Sequence, residues 1–458
     1  MPFHNAETNK FRHSLAVFSF VALTLCIGAP DGFSQPPRNQ RAYEAEQANA
    51  VVALRNKEGL LTAQMLEDYT AIAKSLRGFL AAGPNGPNGR APQNMKNLRT
   101  GLEYLVLVLS DLDVQENARV FENARKKLDS VLSKAGSLIS NADDKKRFRQ
   151  TVYETAYPYL EQMLQSNLLS RSVAMEALLS MEVVQPRGGA RMVMFDRVDK
   201  ALLSVLTDPK QPDAVKLRAA NSAKRFLAKA DAIPQIENAL AIALIDELKR
   251  KFVGYEYQNL IIAALENVHA SRQLVAPRAP IVMCAAVSVL SDKTQHIRTR
   301  CRAARLAGRV AFDSQINFDP IAWKIADLAL DTALIYNQAA KKKDPQWLKC
   351  GWFLFTAFQA GNRSERAALK GILNRAPKSE AALGAYNAIK PVLQVLMTGK
   401  GQLGTAAARL NNWTGKNQPA NLIYDAACPP IKIQAEPGVG GAQPGAGAKP
   451  AKPAAAKS

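Results

Sequence analysis

The sequence predicts an all-α chain built from antiparallel helical hairpins, and three observations lead there. Apolar residues recur at three- and four-residue spacing through nearly every periodic segment, while strand-like alternation of Val, Ile and Thr is scarce. Alanine is abundant and aromatic residues make up only 7% of the chain, a composition suited to close helix packing. An echo at an offset of 84 residues completes the picture: Leu203-Ser-Val-Leu-Thr-Asp208 returns as Val287-Ser-Val-Leu-Ser-Asp292, and Arg218-Ala-Ala-Asn-Ser-Ala-Lys-Arg225 returns as Arg302-Ala-Ala-Arg-Leu-Ala-Gly-Arg309. Nine of these fourteen positions are identical without a gap, against roughly one expected by chance at about 7% background identity. Duplication is the simplest origin for the middle of the chain.

The first segment, 1–34, has the layout of a secretory signal peptide. Lys10, Arg12 and His13 precede an apolar run from Leu15 to Ile27, and the small residues Gly32 and Ser34 follow, so cleavage is expected near Ser34 and the mature protein is expected to be secreted or periplasmic. The apolar run is about 13 residues, short of the roughly 20 a helix needs to cross a bilayer, so no transmembrane span is expected in the mature chain. Leu25 stands before Cys26 where a lipoprotein signal normally has a small residue. Removing Lys10 and Arg12 together with Glu7 and Asp31 leaves the formal charge at +21.

Residues 35–166 read as an N-terminal helical region. A long helix is expected from about Gln40 to Leu80, with Gly59 as a break, followed by a loop over 83–93 where Gly83-Pro-Asn-Gly-Pro-Asn-Gly-Arg90 opposes helix. A helix over 94–110 follows; Asp113 and Asn141 read as N-caps, each with a side-chain oxygen for the free amides of the next helix, and Pro158 is expected to break or kink the third. Helices are then expected over 168–184, 191–207, 213–229, 234–252, 256–268, 279–291 and 295–310, joined by short connections. Residues 313–430 form a C-terminal helical region richer in rings (Trp323, Tyr336, Trp347, Trp352, Phe353, Phe355 and Phe358), which are expected to fill core. The tail, 431–458, holds mostly Ala, Gly, Pro and Lys and is expected to be disordered.

Two hairpins fit the 84-residue offset, giving a unit of about 42 residues, within the range of two-helix solenoid repeats. On the Asp208-Pro209 turn followed by Val215, Leu217-Arg218-Ala219-Ala220, Ala223 and Phe226, and on Asp292, Arg302-Ala303-Ala304, Ala307 and Val310 in the second copy, the stretch 190–312 resembles HEAT-like repeats, and a domain of such repeats is expected over 167–312. The resemblance implies an irregular α-solenoid whose inner helices line a concave binding surface. The intermediate unit carries Ile261, Ile262 and Ala263-Ala264-Leu265 but lacks the Asp and Arg in register.

Chemistry is sparse. After signal removal only His269 and His296 remain, and the chain has no His-Glu-x-x-His, Cys-x-x-Cys, phosphate loop or Gly-x-Ser-x-Gly elbow. No catalytic residue, metal site or cofactor is therefore assigned. The enzyme alternative is a helical-toroid lyase or hydrolase acting on acidic polysaccharide, for which Tyr153, Tyr157 and Tyr159 are the available tyrosines.

Cys284 and Cys301 flank the turn at Asp292-Lys293 by about nine and eight residues, which suggests a disulfide across one hairpin if the helices cross closely. The sharpest charge feature is Arg298, Arg302, Arg305 and Arg309, spaced by four, three and four on one helical stripe. Arg218, Arg225 and Lys229 repeat part of it one duplication earlier. Such a basic ridge would grip carboxylates, sulfates or phosphates, or the arginines would instead pair with the turn residues Asp208 and Asp292. The expected function is an exported, non-enzymatic binding or scaffolding protein whose partner is a protein or an anionic cell-envelope polymer. Export argues against nucleic acid.

Overall fold

The computed structural model describes residues 77, 79–83, 91–111, 115–184, 191–250, 254–268, 274–275, 279–310, 317–361 and 371–419. The chain divides into two units between Glu58 and Gly59, and all described residues lie in the second. The signal segment, the helix expected from Gln40, Asp113, His269 and the tail lie outside the described residues, apart from the last residues of that helix.

The described chain is mostly helical. Helix α1 (Ala91–Ser110) packs on α2 (Ala118–Ser133) and α3 (Ala142–Leu164), and α3 pairs with α4 (Leu168–Leu178). Asparagines start three of them: Asn117 accepts from the Val120 amide, Asn141 from the Asp143 and Asp144 amides, and Asn167 from the Ser170 amide, each satisfying donors that have no partner within the helix. Of the two outcomes expected at Pro158, a break does not occur, since α3 runs through it. It lies on the exposed side of the helix, so the carbonyl that loses its amide partner faces water.

The helices expected over 168–184 and 191–207 are shorter at their facing ends. Glu182–Val184 (β1) and Val193–Met194 (β2) pair antiparallel there. Val183 and Val184 are β-branched and Pro186 follows, which turns the chain away from helix. The hairpin is tied to α3 from below: Arg149, only 2% exposed, donates to the carbonyls of Ala135 and Glu182, and the Tyr153 hydroxyl lies 3.2 Å from the Leu132 and Glu182 carbonyls. A second short ladder joins β3 (Leu274–Val275) to β4 (Ala279–Pro280).

Four further hairpins follow: α5 (Val198–Thr207) with α6 (Asp213–Lys229), α7 (Pro234–Leu248) with α8 (Tyr255–Leu265), α9 (Ile281–Ser291) with α10 (Ile297–Arg309), and α11 (Asp319–Gln338) with α12 (Pro345–Phe358). Helix α13 (Ile372–Arg375) leads to α14 (Glu380–Thr398) and α15 (Gly404–Lys416), which close against α11. Helices α4, α6, α8, α10, α12 and α14 each pack on the next, and α5, α7, α9 and α11 do the same. Helices α6, α8 and α10 begin at 213, 255 and 297, two steps of 42 residues.

The alanine face of the echo is buried in both copies. Ala219, Ala220 and Ala223 on α6 and Ala303, Ala304 and Ala307 on α10 are all at 0% exposure. Side chains this small let neighbouring helices approach closely. Of the aromatic residues after Pro320, Tyr336, Trp347, Phe353 and Phe358 are core, while Trp352 is 38% exposed.

Candidate functional site

The basic row lies on α10. His296 caps this helix, its Nδ1 accepting from the Arg298 amide at 3.3 Å, and its ring stacks on Tyr255 at 4.2 Å. Burial first, then Arg298 nearby, holds the imidazole below its usual range. That makes His296 a cap and stacking partner. Along the next three turns only Arg298, Arg302 and Arg305 retain partial access to solvent, at 15%, 18% and 19% side-chain exposure. Arg309, the fourth position of the stripe, is turned inward at 4%.

The row therefore sits in a recess between α8 and α12 and differs from the expected open ridge. The α8 side supplies carboxylates: Arg298 Nη1 donates to Glu256 Oε1 at 2.7 Å, and Glu266, just past the helix, stands 3.7 Å from Arg302 Nε and 3.6 Å from Arg305 Nη2. The α12 side supplies a ring, with the guanidinium carbons of Arg302 and Arg305 at 5.2 and 5.9 Å from the centre of Phe353. Lys224 on α6 joins the group, its ammonium held below its usual range by burial and by Arg302, against the opposing pull of Glu266. Arg302 is held down by burial most of all, with Glu266 acting in the other direction.

Charge and hydrogen bonding are unbalanced here. Lys224, Arg298, Arg302 and Arg305 face two carboxylates, Glu256 and Glu266. Among the described residues, the buried Nε–H groups of Arg298, Arg302 and Arg305 have no acceptor within hydrogen-bond distance, Arg302 Nε and Glu266 Oε1 facing each other as an ion pair at 3.7 Å. Beyond the row, Arg375 donates to the Val310 carbonyl, and burial together with Arg309 lowers its guanidinium to about 10.

The first copy is arranged differently. Arg218 Nη1 meets Glu176 Oε1 at 3.0 Å, whereas Arg225 and Lys229 are exposed on α6. The turn aspartates do not hold these arginines. Asp208 accepts from the Lys210 amide, and Asp292 accepts from the amide and hydroxyl of Thr294 and from Gln295. Burial would raise the Asp292 carboxyl, but these bonds, helped by Arg300, keep it below its usual range. Arg218 and Arg302 both reach back to a glutamate on or at the end of the preceding even-numbered helix.

The expected Cys284–Cys301 bond is absent. Cys301 is a free, buried thiol, and Cys284 is disulfide-bonded elsewhere. Cys301 points away from its own hairpin, with Sγ 3.6 Å from Thr332 Oγ1 on α11.

A buried cation, not among the residues expected from the sequence, is present in both copies. Lys216 donates to the Leu206 carbonyl at 3.1 Å and to Glu247 at 2.6 Å; Arg300 donates to the Leu290 carbonyl at 3.0 Å and to Asp331 at 2.7 Å. Each of the three positions recurs at the 84-residue offset. The signal was available by extending the echo outside its identical blocks, because Lys/Arg and Glu/Asp replace one another there.

The tyrosines named for an enzyme sit within helix packing. Tyr153 is 1% exposed with its hydroxyl on backbone carbonyls, and Tyr157 packs on Phe195 beneath Arg197. A cleft of about 490 Å³ lies near α1 and α3, lined by Phe79, Met95, Ile139, Phe148, Asp144 and Arg147 among others, and no tyrosine lines it. Its Asp144 and Arg147 are paired to each other at 2.7 Å. Among the described residues, no cluster of three or more His, Cys, Asp or Glu could hold a metal, and no helix is long and apolar enough to cross a membrane. No family model, curated protein or solved structure matches this chain.

Proposed function

We propose that the protein is an exported, non-enzymatic binding or scaffolding module, a HEAT-like α-solenoid that takes an anionic group of its partner into the recess along α10. The 42-residue spacing of α6, α8 and α10 and the successive packing of the even-numbered helices support the solenoid reading. The observation that carries the binding reading is the row of three buried Nε–H donors that make no hydrogen bond among the described residues, in a group whose cations outnumber its carboxylates. Each unmade bond at such a donor costs about 1–3 kcal/mol. A carboxylate, sulfate or phosphate entering the recess would meet the solvent-accessible ends of these guanidiniums, and a shift of the side chains would turn their Nε–H groups toward it while Phe353 stays against Arg302 and Arg305. The formal charge of +21 draws anionic polymers toward the surface from a distance.

The test replaces Arg298 and Arg305 by the residues that stand at the same places in the first copy, Ala214 and Asn221. R298A/R305N and a control, R225Q/K229Q, each remove two positive charges. On an immobilised sulfated polysaccharide, R298A/R305N should elute at clearly lower salt than the control, with unchanged far-ultraviolet circular dichroism for both. Equal shifts for the two pairs would mean that net charge alone governs retention and would remove the case for the recess.

A further inference from the structure

Helices α10 and α12 face each other in one register, with residues 49 apart opposed. Cys301 lies against Cys350, and two turns later Gly308 lies against Ala357. At Gly308 the helices are so close that a methyl group would collide with the Ala357 carbonyl. That close crossing is what a disulfide between packed helices requires, since helix axes are usually about 8–10 Å apart whereas bridged Cα atoms lie within about 7 Å. Both cysteines are at 0% exposure. The neighbouring Cys301 thiol and burial push the Cys350 thiol well above its usual range. On its other side Cys301 meets Thr332, whose hydroxyl proton is already donated to the Leu328 carbonyl, which leaves the Cys301 S–H to donate to Thr332 Oγ1.

We propose that Cys301 and Cys350 are a dithiol–disulfide pair that covalently joins α10 to α12. The oxidant is an external disulfide of the glutathione class. The thiolate of one cysteine attacks it, forming a mixed disulfide and releasing one thiolate; the second cysteine then displaces the other. Two protein thiols lose two protons and two electrons, and one external disulfide becomes two thiols. Because the protonated thiols are sealed in the core, exchange takes place while α10 and α12 are still undocked, and docking afterwards shields the bond from reductant. In an oxidising compartment such a bond persists. It would fix the helix that carries Arg298, Arg302 and Arg305 to the one that carries Phe353.

The full chain, reduced and unfolded, is refolded in a mixture of reduced and oxidised glutathione, then denatured without reductant, alkylated and digested for mass spectrometry. The expected product is a cross-linked pair of peptides containing Cys301 and Cys350, two hydrogens lighter than the separate thiol peptides and split by reductant. In a Cys350→Ser variant the Cys301 peptide should be recovered alkylated or as its glutathione adduct. Recovery of both cysteines alkylated from the refolded wild-type chain, or of either joined to a different cysteine, would overturn the proposal, and that measurement needs no variant to fold.

Discussion

Replacing Lys216 by Met tests the feature that both copies share. The Lys216 ammonium lies 2.6 Å from Glu247 Oε1 and 3.1 Å from the Leu206 carbonyl, with the two side chains 3% and 5% exposed. Methionine fills the space of the stem but brings no donor, so the Leu206 carbonyl is left unpaired and Glu247 loses one of its partners. Breaking a buried ion pair costs about 3–5 kcal/mol when the remaining charge is stranded. Here it is not stranded, because Glu247 still accepts from Arg250 at 2.7 Å and from the Tyr257 hydroxyl at 3.1 Å. The expected loss is therefore about 2–3 kcal/mol, equivalent to roughly a 30- to 150-fold rise in local opening. Native-state hydrogen exchange read by mass spectrometry is the suitable assay, since it reports opening segment by segment. Peptides from α5 to α8 should exchange faster by that factor, while α14 and α15, which do not pack on α6, should change by less than about twofold. Arg300→Met should do the same to α9–α12. Protection over α5–α8 that stays within about threefold of wild type would refute the assignment of Lys216 as a load-carrying contact between hairpins.

Alkali should destabilise the fold from about pH 10 upward. Burial raises the phenols of Tyr153 and Tyr257 above their ordinary value of 10.0, with Arg149 opposing this at Tyr153 and Glu247 adding to it at Tyr257. The folded state therefore keeps protons that the unfolded chain releases; the stabilisation is complete below pH 10 and should fall by about 1.4 kcal/mol per tyrosine by pH 11. Urea unfolding at a series of pH values measures this, and Tyr257→Phe should lessen the decline. Gly308→Ala should lower the thermal midpoint through overpacking of α10 on α12, a cost of about 1–3 kcal/mol, whereas Gly404→Ala, where the added carbon meets nothing, should not. Asn141→Ala removes the cap of α3 and should cost about 1 kcal/mol in calorimetry.

Much of the helical layout was legible because its causes are local. The stretch expected at 213–229 forms α6 as Asp213–Lys229, and Asn141 caps α3 as its side chain suggests. The errors arise where distant contacts decide. The β-branched Val183 and Val184 with Pro186 only weaken the helix there, and what draws the segment into a strand is the donors that Arg149 and Tyr153 offer to the Glu182 carbonyl from 33 and 29 residues away. The cysteine expectation failed for a related reason. Periodicity tells which residues share a face, but not which neighbour that face meets: Cys301 is on the side of α10 that meets α11 and α12, away from Cys284 on α9. The arginine row was visible as a stripe, yet its recess was not, since that depends on how closely α12 approaches.

The comparison of the two copies separates architecture from what the second copy adds. Both bury the same alanine face, both anchor a hairpin with Lys216 or Arg300, and both send Arg218 or Arg302 back to a glutamate near the preceding even-numbered helix. One stripe of α10 differs at every position. Where the first copy has Ala214, Leu217, Asn221 and Lys224, the second has Arg298, Cys301, Arg305 and Gly308. Leu217 is 38% exposed, but Cys301 is wholly covered. The Lys224-to-Gly308 exchange removes the bulk that would keep α12 away, and the contact this permits seals Cys301 and brings Phe353 beneath Arg302 and Arg305. The spacing changes at the same place, since α12 begins 48 residues after α10 in place of 42. A regular continuation of the repeat would have kept its partner at the standard distance and left this stripe solvated. The arginine recess and the thiol pair thus share a single structural cause, the irregular close seat of α12 on α10.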